Sequence, residues 1–579
     1  MKNILGLIYQ NCSDPSATLI KNGQIVAIVE EERVLRDKHA VNKFPINAIN
    51  SCLNIANLEI NDIDIISIGW DASKFPAKIK DFYEEIRKVH APLSKKSIEW
   101  QNKNINYYTK ENLLNTLKQN LFPKKKEIPS KIKVVFTPHH YSHACTAFYM
   151  SGFSEAAVIT MDGHGEEDCT NLWVADNYQI KKIKQWNIPN SMGWFYTKFT
   201  QWFGFRPHDG EGKLMGLAAY GSHDPELAKK VDEICKLTDD DRIYDVNSSF
   251  FFAENVGNTS FCKEWIDLFG EPLPYEKKIE YSDYHKNLAF AVQQKLEDVG
   301  VALAKYILNK TGKTKLCVAG GSFMNCKMNG VLAQHVGFDN FFAQPMAGDN
   351  GISMGAAVAA ASKTNVRWPK MDHLYYGPKY TKNQIEKALE EQKKAIKYSL
   401  SSNIEKDVAG LLSKSKVVGW FQGPMESGAR ALGNRSILGN PLDPNARNLI
   451  NEKVKFREMW RPFCPSTLEE EGQKFFNYEG KLPFMIVACE VNKEYADKIP
   501  SVVHCDNTVR VQTVSKETNP KYYKMIYEFG KITGIPIVLN TSFNVKGQAI
   551  VCSPNDAIKC FLNTGMDYVA IGDYLVSRL

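Results

Sequence analysis

No run of apolar residues in this chain approaches roughly eighteen in a row, so a membrane-spanning helix is not expected. The opening "MKNILGLIYQNCSDPS" has no signal-peptide apolar run, and a soluble, cytoplasmic protein with no membrane partner is the expectation. The thirteen cysteines are odd in number and contain no CxxC pair. That argues against a disulfide framework or a zinc ribbon and for reduced, mostly buried thiols. A concentrated basic tail is also missing. The net charge of +7 is spread through lysine-rich stretches such as "LFPKKKEIPSKIK", which read as solvated surface and give no reason to expect a nucleic-acid partner.

At 579 residues the chain is too long for one core, and two or three domains are expected. The first thirty residues read as strands: "ILGLIY", a polar turn carrying Asp14, "ATLI", an Asn22-Gly23 turn, then "QIVAIVE". The pattern recurs at "AAVITMDGHGEEDCTNLWVADNYQIKKI", which suggests internal duplication. Between them "DIDIISIGW" reads as a buried strand and the Lys/Asn-rich stretch from 75 to 130 as exposed helices. An aromatic helix, "SMGWFYTKFTQWFGF", is expected to be core, and a long amphipathic helix spans 284–310. "KLCVAGGSFMNCKMNG" and "FFAQPMAGDNGISMGAAVAAA" each give strand, glycine turn and helix. Strands alternating with helices imply an α/β fold. The proline-bearing stretch near residue 370 divides a first domain, 1–370, from a second α/β domain, 371–579.

The stretch "TPHHYSHACTAF" predicts a helix capped by Thr137 with Pro138 at its first position, which sets His139 and His143 on one face and turns His140 elsewhere. A pair of imidazoles at that spacing is a weak metal signal by itself. It gains weight from Asp162, at the end of a strand entering "DGHG", and Asp349, in "AGDNG". Together these make a mixed imidazole and carboxylate set that suits iron, zinc or manganese, with Asp14 as a fifth candidate for the same cleft. The glycine turns themselves, Gly163 and Gly165 among them, leave amides that can approach phosphate oxygens. In the second domain Arg430, Arg435, Lys455, Arg457, Arg461 and Arg510 lie in or near turns. Guanidinium forks pair bidentately with phosphate and carboxylate, and "LNTSFN" adds amide and hydroxyl groups, so the cluster reads as a site for a doubly anionic substrate.

The chain resembles the NodU/CmcH-type O-carbamoyltransferases over nearly its whole length. The motifs that carry the resemblance are "EEERVLRDKH", "HHYSHACTAFYMSG", "MDGHGEE", "GKLMGLAAYG", "AGGSFMNCKMNG", "ARALGNRSIL", "MWRPFCPS" and "LNTSFNVKGQ", in that order. The resemblance implies an N-terminal duplicated domain of the actin/sugar-kinase (TsaD-like) kind and a C-terminal YrdC-like α/β domain. It also implies that roughly the last 35 residues can pack back on the first domain.

The implied activity is enzymatic. Carbamoyl phosphate and ATP, the latter with Mg(2+), would form carbamoyl adenylate in the second domain. The first domain would pass the carbamoyl group to a hydroxyl of a small-molecule acceptor, a natural product such as an antibiotic, or a sugar. By motif matching, His139, His143, Asp162 and Asp349 are the implied ligands of Fe(2+) or another divalent metal. Gly320, Gly321 and Asn325 match the adenylate-binding turn. Arg430, Lys455, Arg461, Arg510, Asn540 and Ser542 match the carbamoyl phosphate and ATP contacts. A homodimer is left open.

The sequence departs from the family pattern twice. Where the first motif usually reads His-Asp-x-Ser-Ala, this chain has "SDPSA", with Ser13 in place of the histidine. An attacking hydroxyl must lose a proton, and the substitution leaves Asp14 or Asp162 as the base. The common "GRxEFGPRALG" appears as "GPMESGARALG", with Pro424 for an arginine and Ser427 for an aromatic residue. Transfer to an amine or a nucleic-acid adenosine, or a degenerate nucleotide-binding partner, are the alternative readings. The retained metal-ligand candidates argue against the last.

Overall fold

The structure, a computed structural model, describes residues 2–9, 13–89, 93–177, 179–252, 260–362 and 368–579. The turn at 10–12 and part of the stretch before residue 370 lie outside the described residues.

Two sheets of the first domain repeat one plan. In the first, strands β1 (Ile4–Ile8), β2 (Ser16–Lys21), β3 (Gln24–Glu30), β4 (Ile65–Ile68) and β5 (Lys133–Phe136) lie in the order β3-β2-β1-β4-β5. The second is built from β6 (Glu155–Met161), β7 (Asp168–Asp176), β8 (Gln179–Asn187), β9 (Leu316–Ala319) and β10 (Phe341–Ala343) in the order β10-β9-β6-β7-β8. Read from β8, that is the same succession. In both, the first strand pairs antiparallel with the second and parallel with the fourth, and the fourth pairs parallel with the fifth. This is the internal duplication expected from the repeated hairpin, with the paired sheets that the family resemblance implied. The central strands are buried on both faces, as β1 is throughout, because helices cover both sides.

Two helices lie between the sheets, His139–Tyr149 and Ile352–Ser362, each buried along almost its whole length. They approach closely because Gly355 has no side chain: a Cβ there would come within 2.2 Å of the Ser142 carbonyl oxygen. The long helix, Asp283–Thr311, and the aromatic helix, Met192–Trp202, flank the second sheet, with Phe195, Phe199 and Trp202 in the core. The stretch from 75 to 130 forms helices Ala77–Val89, Lys95–Tyr107 and Lys110–Leu121, but they are not simply exposed. Ile79, Tyr83, Leu113 and Leu117 are buried, the Tyr9 hydroxyl donates to the Leu113 carbonyl at 2.9 Å, and Tyr108 stacks on Trp70 with ring centroids 4.1 Å apart. The lysines and asparagines that set its average hide an apolar stripe.

The second domain centres on an eight-stranded mixed sheet. Its order is Ile396–Leu400, Tyr574–Arg578, Tyr568–Ile571, Val418–Phe421, Arg435–Gly439, Ile537–Ser542, Cys464–Leu468, Gln512–Val514. The chain's end meets the first domain through Ala549, Ile550 and Asp556, which face Arg36. Its last two strands sit inside this sheet, because "YVAI" and "YLVSR" pair with each other and with Val418–Phe421 and Ile396–Leu400. Among the described residues no helix is long and apolar enough to cross a membrane.

The domains are joined by a short charged segment, Glu30–His39. The buried Arg33 guanidinium donates to the Gly428 carbonyl at 2.5 Å while the Gly428 amide donates to the Glu30 carboxylate at 2.6 Å. Arg36 donates to the carbonyls of Ala549 and Ile550 and faces Asp556 at 3.6 Å. Ser427, where an aromatic residue was expected, donates to the Ile28 carbonyl at 2.7 Å and so serves this junction.

Candidate active site

One cleft of about 1130 Å³ is walled by both domains. At one end stand the four residues proposed from sequence as metal ligands. The helix that carries the histidines begins after Pro138, but Thr137 does not cap it. Its hydroxyl pairs with Ser67 at 3.1 Å, and the first helical amide, that of His139, donates to the buried Glu166 carboxylate at 3.1 Å instead. A buried anion at a helix N-terminus satisfies an orphan donor and favours the helix dipole. His140 turns away, its Nδ1 2.9 Å from the Thr160 hydroxyl.

His139, His143, Asp162 and Asp349 each offer an atom, and all four atoms lie within 4.8 Å of one another. The His143 Nε2 lies 2.9 Å from Asp162 Oδ2, and the His139 Nε2 lies 3.7 Å from Asp162 and 3.6 Å from Asp349. The last two separations are too long for hydrogen bonds, and both ring nitrogens of His139 are buried without a partner. Burial and the Asp162 charge raise the Asp349 carboxyl to about 7. Burial lowers His139 and the carboxylates of Asp162 and Asp349 outweigh it, lifting the imidazole to about 9. Two carboxylates held together beside an imidazole with both ring nitrogens unpartnered are what a divalent cation relieves. The donor set fits iron, manganese or zinc.

The glycine turns act differently from the sequence expectation. Their amides are not free for phosphate: Gly163 and Gly321 donate to Asp162 at 2.7 and 3.1 Å, Gly165 to the Asp168 carbonyl at 2.6 Å, and Gly320 to the Ala347 carbonyl at 2.9 Å. They aim and charge-stabilise a candidate ligand. Gly320 takes φ +105°, and a Cβ there would meet the Met161 carbonyl oxygen at 2.3 Å, so the turn requires glycine. Neither Gly165 nor Gly320 lines the cleft, whereas Gly163 and Gly321 do. Asn325 also lines it, but its side chain caps the helix Cys326–Val336 and pairs with Gln293.

At the other end the cleft is basic. Arg430, Lys455, Arg457, Arg461 and Arg510 all face it. Burial, then the neighbouring Arg510 charge, pulls Arg430 below its ordinary range; burial, then Arg457, does the same to Lys455. The Lys455 ammonium is fixed by the Ser542 carbonyl at 2.8 Å and the Asn544 side chain at 2.6 Å, which joins it to "LNTSFN". Asn540 lines the cleft; its amide nitrogen donates to the Ala431 carbonyl at 3.2 Å and the Ser466 hydroxyl at 3.1 Å, and its Oδ1 is buried without a partner. Arg435 is a correction to the proposed cluster. It lies fully buried in a strand, stacked 3.7 Å from the Phe421 ring centroid and donating to the carbonyls of Gln422, Gly423 and Asn434. It is structural because its guanidinium is spent on the fold's own carbonyls, those of Gln422, Gly423, Asn434 and Pro378.

Sequence reasoning missed three groups at the cleft. His39 Nδ1 lies 2.8 Å from Asp14 Oδ1, and its Nε2 lies 3.5 Å from Asp209. Trp100 and Trp194 face each other at 5.6 Å, the first carried by the 95–107 helix that composition marked as surface. Glu166 supports the histidine helix. His39 and Glu166 left a trace, as members of the quoted motifs "EEERVLRDKH" and "MDGHGEE".

The sequence model described as Carbamoyltransferase N-terminus matches residues 3–358, and Carbamoyltransferase C-terminus matches 409–578. Nodulation protein NolNO of Sinorhizobium fredii is 32% identical, covering 100% of this chain and 81% of that protein. Nodulation protein NolO of Bradyrhizobium diazoefficiens is 34% identical over 76% of this chain and 78% of that one. Among solved structures, full-length HypF in a phosphate- and nucleotide-bound form aligns with TM-score 0.33 and 13% identity, covering 63% of this chain and 56% of that one. The two matched regions between them take in both ends of the cleft, and the chain belongs to the carbamoyltransferase family as an enzyme of that class.

Proposed function

We propose that this carbamoyltransferase works in two steps at the two ends of its cleft, with 1–370 as the transfer domain and 371–579 as the activating domain. Carbamoyl phosphate, ATP and water would give carbamoyl adenylate, phosphate and pyrophosphate at the basic end. The carbamoyl group would then pass to a hydroxyl of a small-molecule acceptor at the other end, releasing AMP. The single observation that carries this reading is the continuous cleft between a crowded cationic cluster and a histidine and carboxylate cluster. An adenylate formed at one end can reach the other within the same cleft.

Each group has a task. Arg430, Arg461 and Arg510 are cations crowded without enough acids to balance them, and polyanionic substrates relieve the repulsion. Lys455, held by Ser542 and Asn544, fixes one phosphate position. At the transfer end His139, His143, Asp162 and Asp349 would hold a divalent metal, Fe(2+) among the candidates. Such an ion supplies a Lewis acid for the carbamoyl oxygen. Asp162 already accepts from His143 and two glycine amides, so it is a ligand rather than a base. Asp14, on the cleft wall, is the group proposed to accept the acceptor's proton.

The test is a single-turnover experiment with carbamoyl phosphate, ATP and Mg(2+) and no added acceptor. A burst of pyrophosphate stoichiometric with enzyme, followed by slower AMP release as water attacks, is the expected result. Absence of pyrophosphate would reject the adenylate.

A further inference from the structure

Ser13 and Asp14 both line the cleft, and a histidine stands beside them that does not come from their own turn. His39 belongs to the segment that joins the two domains. Its Nδ1 lies 2.8 Å from Asp14 Oδ1 and its Nε2 faces Asp209 at 3.5 Å; the Asp14 amide donates to the His39 carbonyl at 2.8 Å. The His39 amide in turn donates to Glu32 at 2.9 Å. Both partners are held in the left-handed region, Asp14 at φ 68° and His39 at φ 65°. Residues other than glycine hold that conformation only where surrounding bonds over-determine it, and such residues collect at working sites. Here reciprocal bonds of backbone and side chain lock two turns together at the cleft wall.

We propose that His39 is the positioning residue for Asp14, fixing one carboxylate oxygen and leaving the other directed to the acceptor hydroxyl, so that this chain uses an imidazole from position 39 where position 13 is serine. The proposal rests on the two-step reading above. Burial lowers the His39 imidazole, but the hydrogen bond it donates to Asp14 and the nearby Asp209 carboxylate outweigh it and lift it to about 10. At neutral pH it is therefore a cation between two carboxylates and not itself the base. The proton leaving the hydroxyl goes to Asp14 as the oxygen attacks the carbamoyl carbon and the bond to AMP breaks. His39 keeps its own proton throughout.

Water serves as the probe hydroxyl, so no acceptor need be known. Pyrophosphate burst and AMP release are followed in the full chain for the wild type, His39→Asn, His39→Gln, His39→Ala, Asp14→Asn and the double variant His39→Ala with Asp14→Asn. Asparagine keeps a donor near the Nδ1 position, and glutamine places it toward Asp209. The burst should persist in all. AMP release should fall about 100-fold in His39→Ala and Asp14→Asn. It should fall no further in the double variant, since two residues acting as one unit are not additive. His39→Asn should recover most of the rate and His39→Gln should not. Equal rates in His39→Ala and wild type, or equal losses in the asparagine and glutamine variants, or additive losses in the double variant, would overturn the proposal. A wild type without a burst would instead strike the adenylate reading, and the proposal with it.

Discussion

At the His139 end of the cleft nearly every charge has a counter-charge within reach, whereas at the Arg430 end cations face cations. Asp162 is met by His143 and by two glycine amides, and Asp14 by His39. In the basic cluster Glu458 alone faces Arg461 at 3.9 Å, Lys213 at 3.7 Å and Lys546 at 3.4 Å. Under the proposed reading, the carboxylate end takes a divalent cation, and the end where cations crowd takes polyanionic substrates.

The largest expected effect separates two arginines that look alike in sequence. Arg435→Ala removes a buried donor to the Gln422 and Asn434 carbonyls and the stacking on Phe421, and the fold should lose about 3 kcal/mol, read as a fall in the urea midpoint. Arg430→Ala relieves like-charge crowding, so its midpoint should hold or rise while activity falls. If the two midpoints move together, the division between structural and substrate-binding arginines is wrong.

Next in size, Arg510→Ala removes a charge-assisted contact worth roughly 1.5 to 3 kcal/mol, or about 10- to 150-fold in kcat/KM for carbamoyl phosphate. Unchanged turnover at limiting carbamoyl phosphate would remove Arg510 from the site.

The smallest effect is in pH. His39 is raised from 6.5 to about 10, so the folded state holds this proton more tightly than the unfolded chain does. Its contribution to stability is therefore complete below the unfolded value and lost as pH rises through the folded one. The urea-midpoint gap between wild type and His39→Gln should be widest near about pH 6 and close toward about pH 10. A gap that grows with pH would mean that His39 is not the shared proton of the two carboxylates.

Much of this arrangement was legible in the residues. The repeated hairpin announced the duplicated sheets because a strand period of two and a glycine turn leave a local pattern. His139, His143, Asp162 and Asp349 could be gathered because each sits at a helix start or a turn with a recognisable motif. Arg435 and Arg430 could not be told apart, since a guanidinium's role depends on which carbonyls the sheet brings to it. The glycine amides were misread for the same reason: whether an amide is free is decided by its neighbours in space. The neighbours of the final strands were not legible, because pairing within a mixed sheet joins residues far apart in the chain, such as Val418 with Tyr568. His39 escaped notice because its partner, Asp14, lies twenty-five positions away in a separate turn of the same domain.

The division of labour between the two ends is tested most directly by His143→Ala, with pyrophosphate and AMP followed in one single-turnover experiment in the presence of Mg(2+), alongside metal analysis. The account predicts a pyrophosphate burst of wild-type amplitude, AMP release slowed by about 100-fold or more, and depleted divalent metal. Loss of the burst together with AMP release, in a variant that keeps its wild-type urea midpoint, would contradict it.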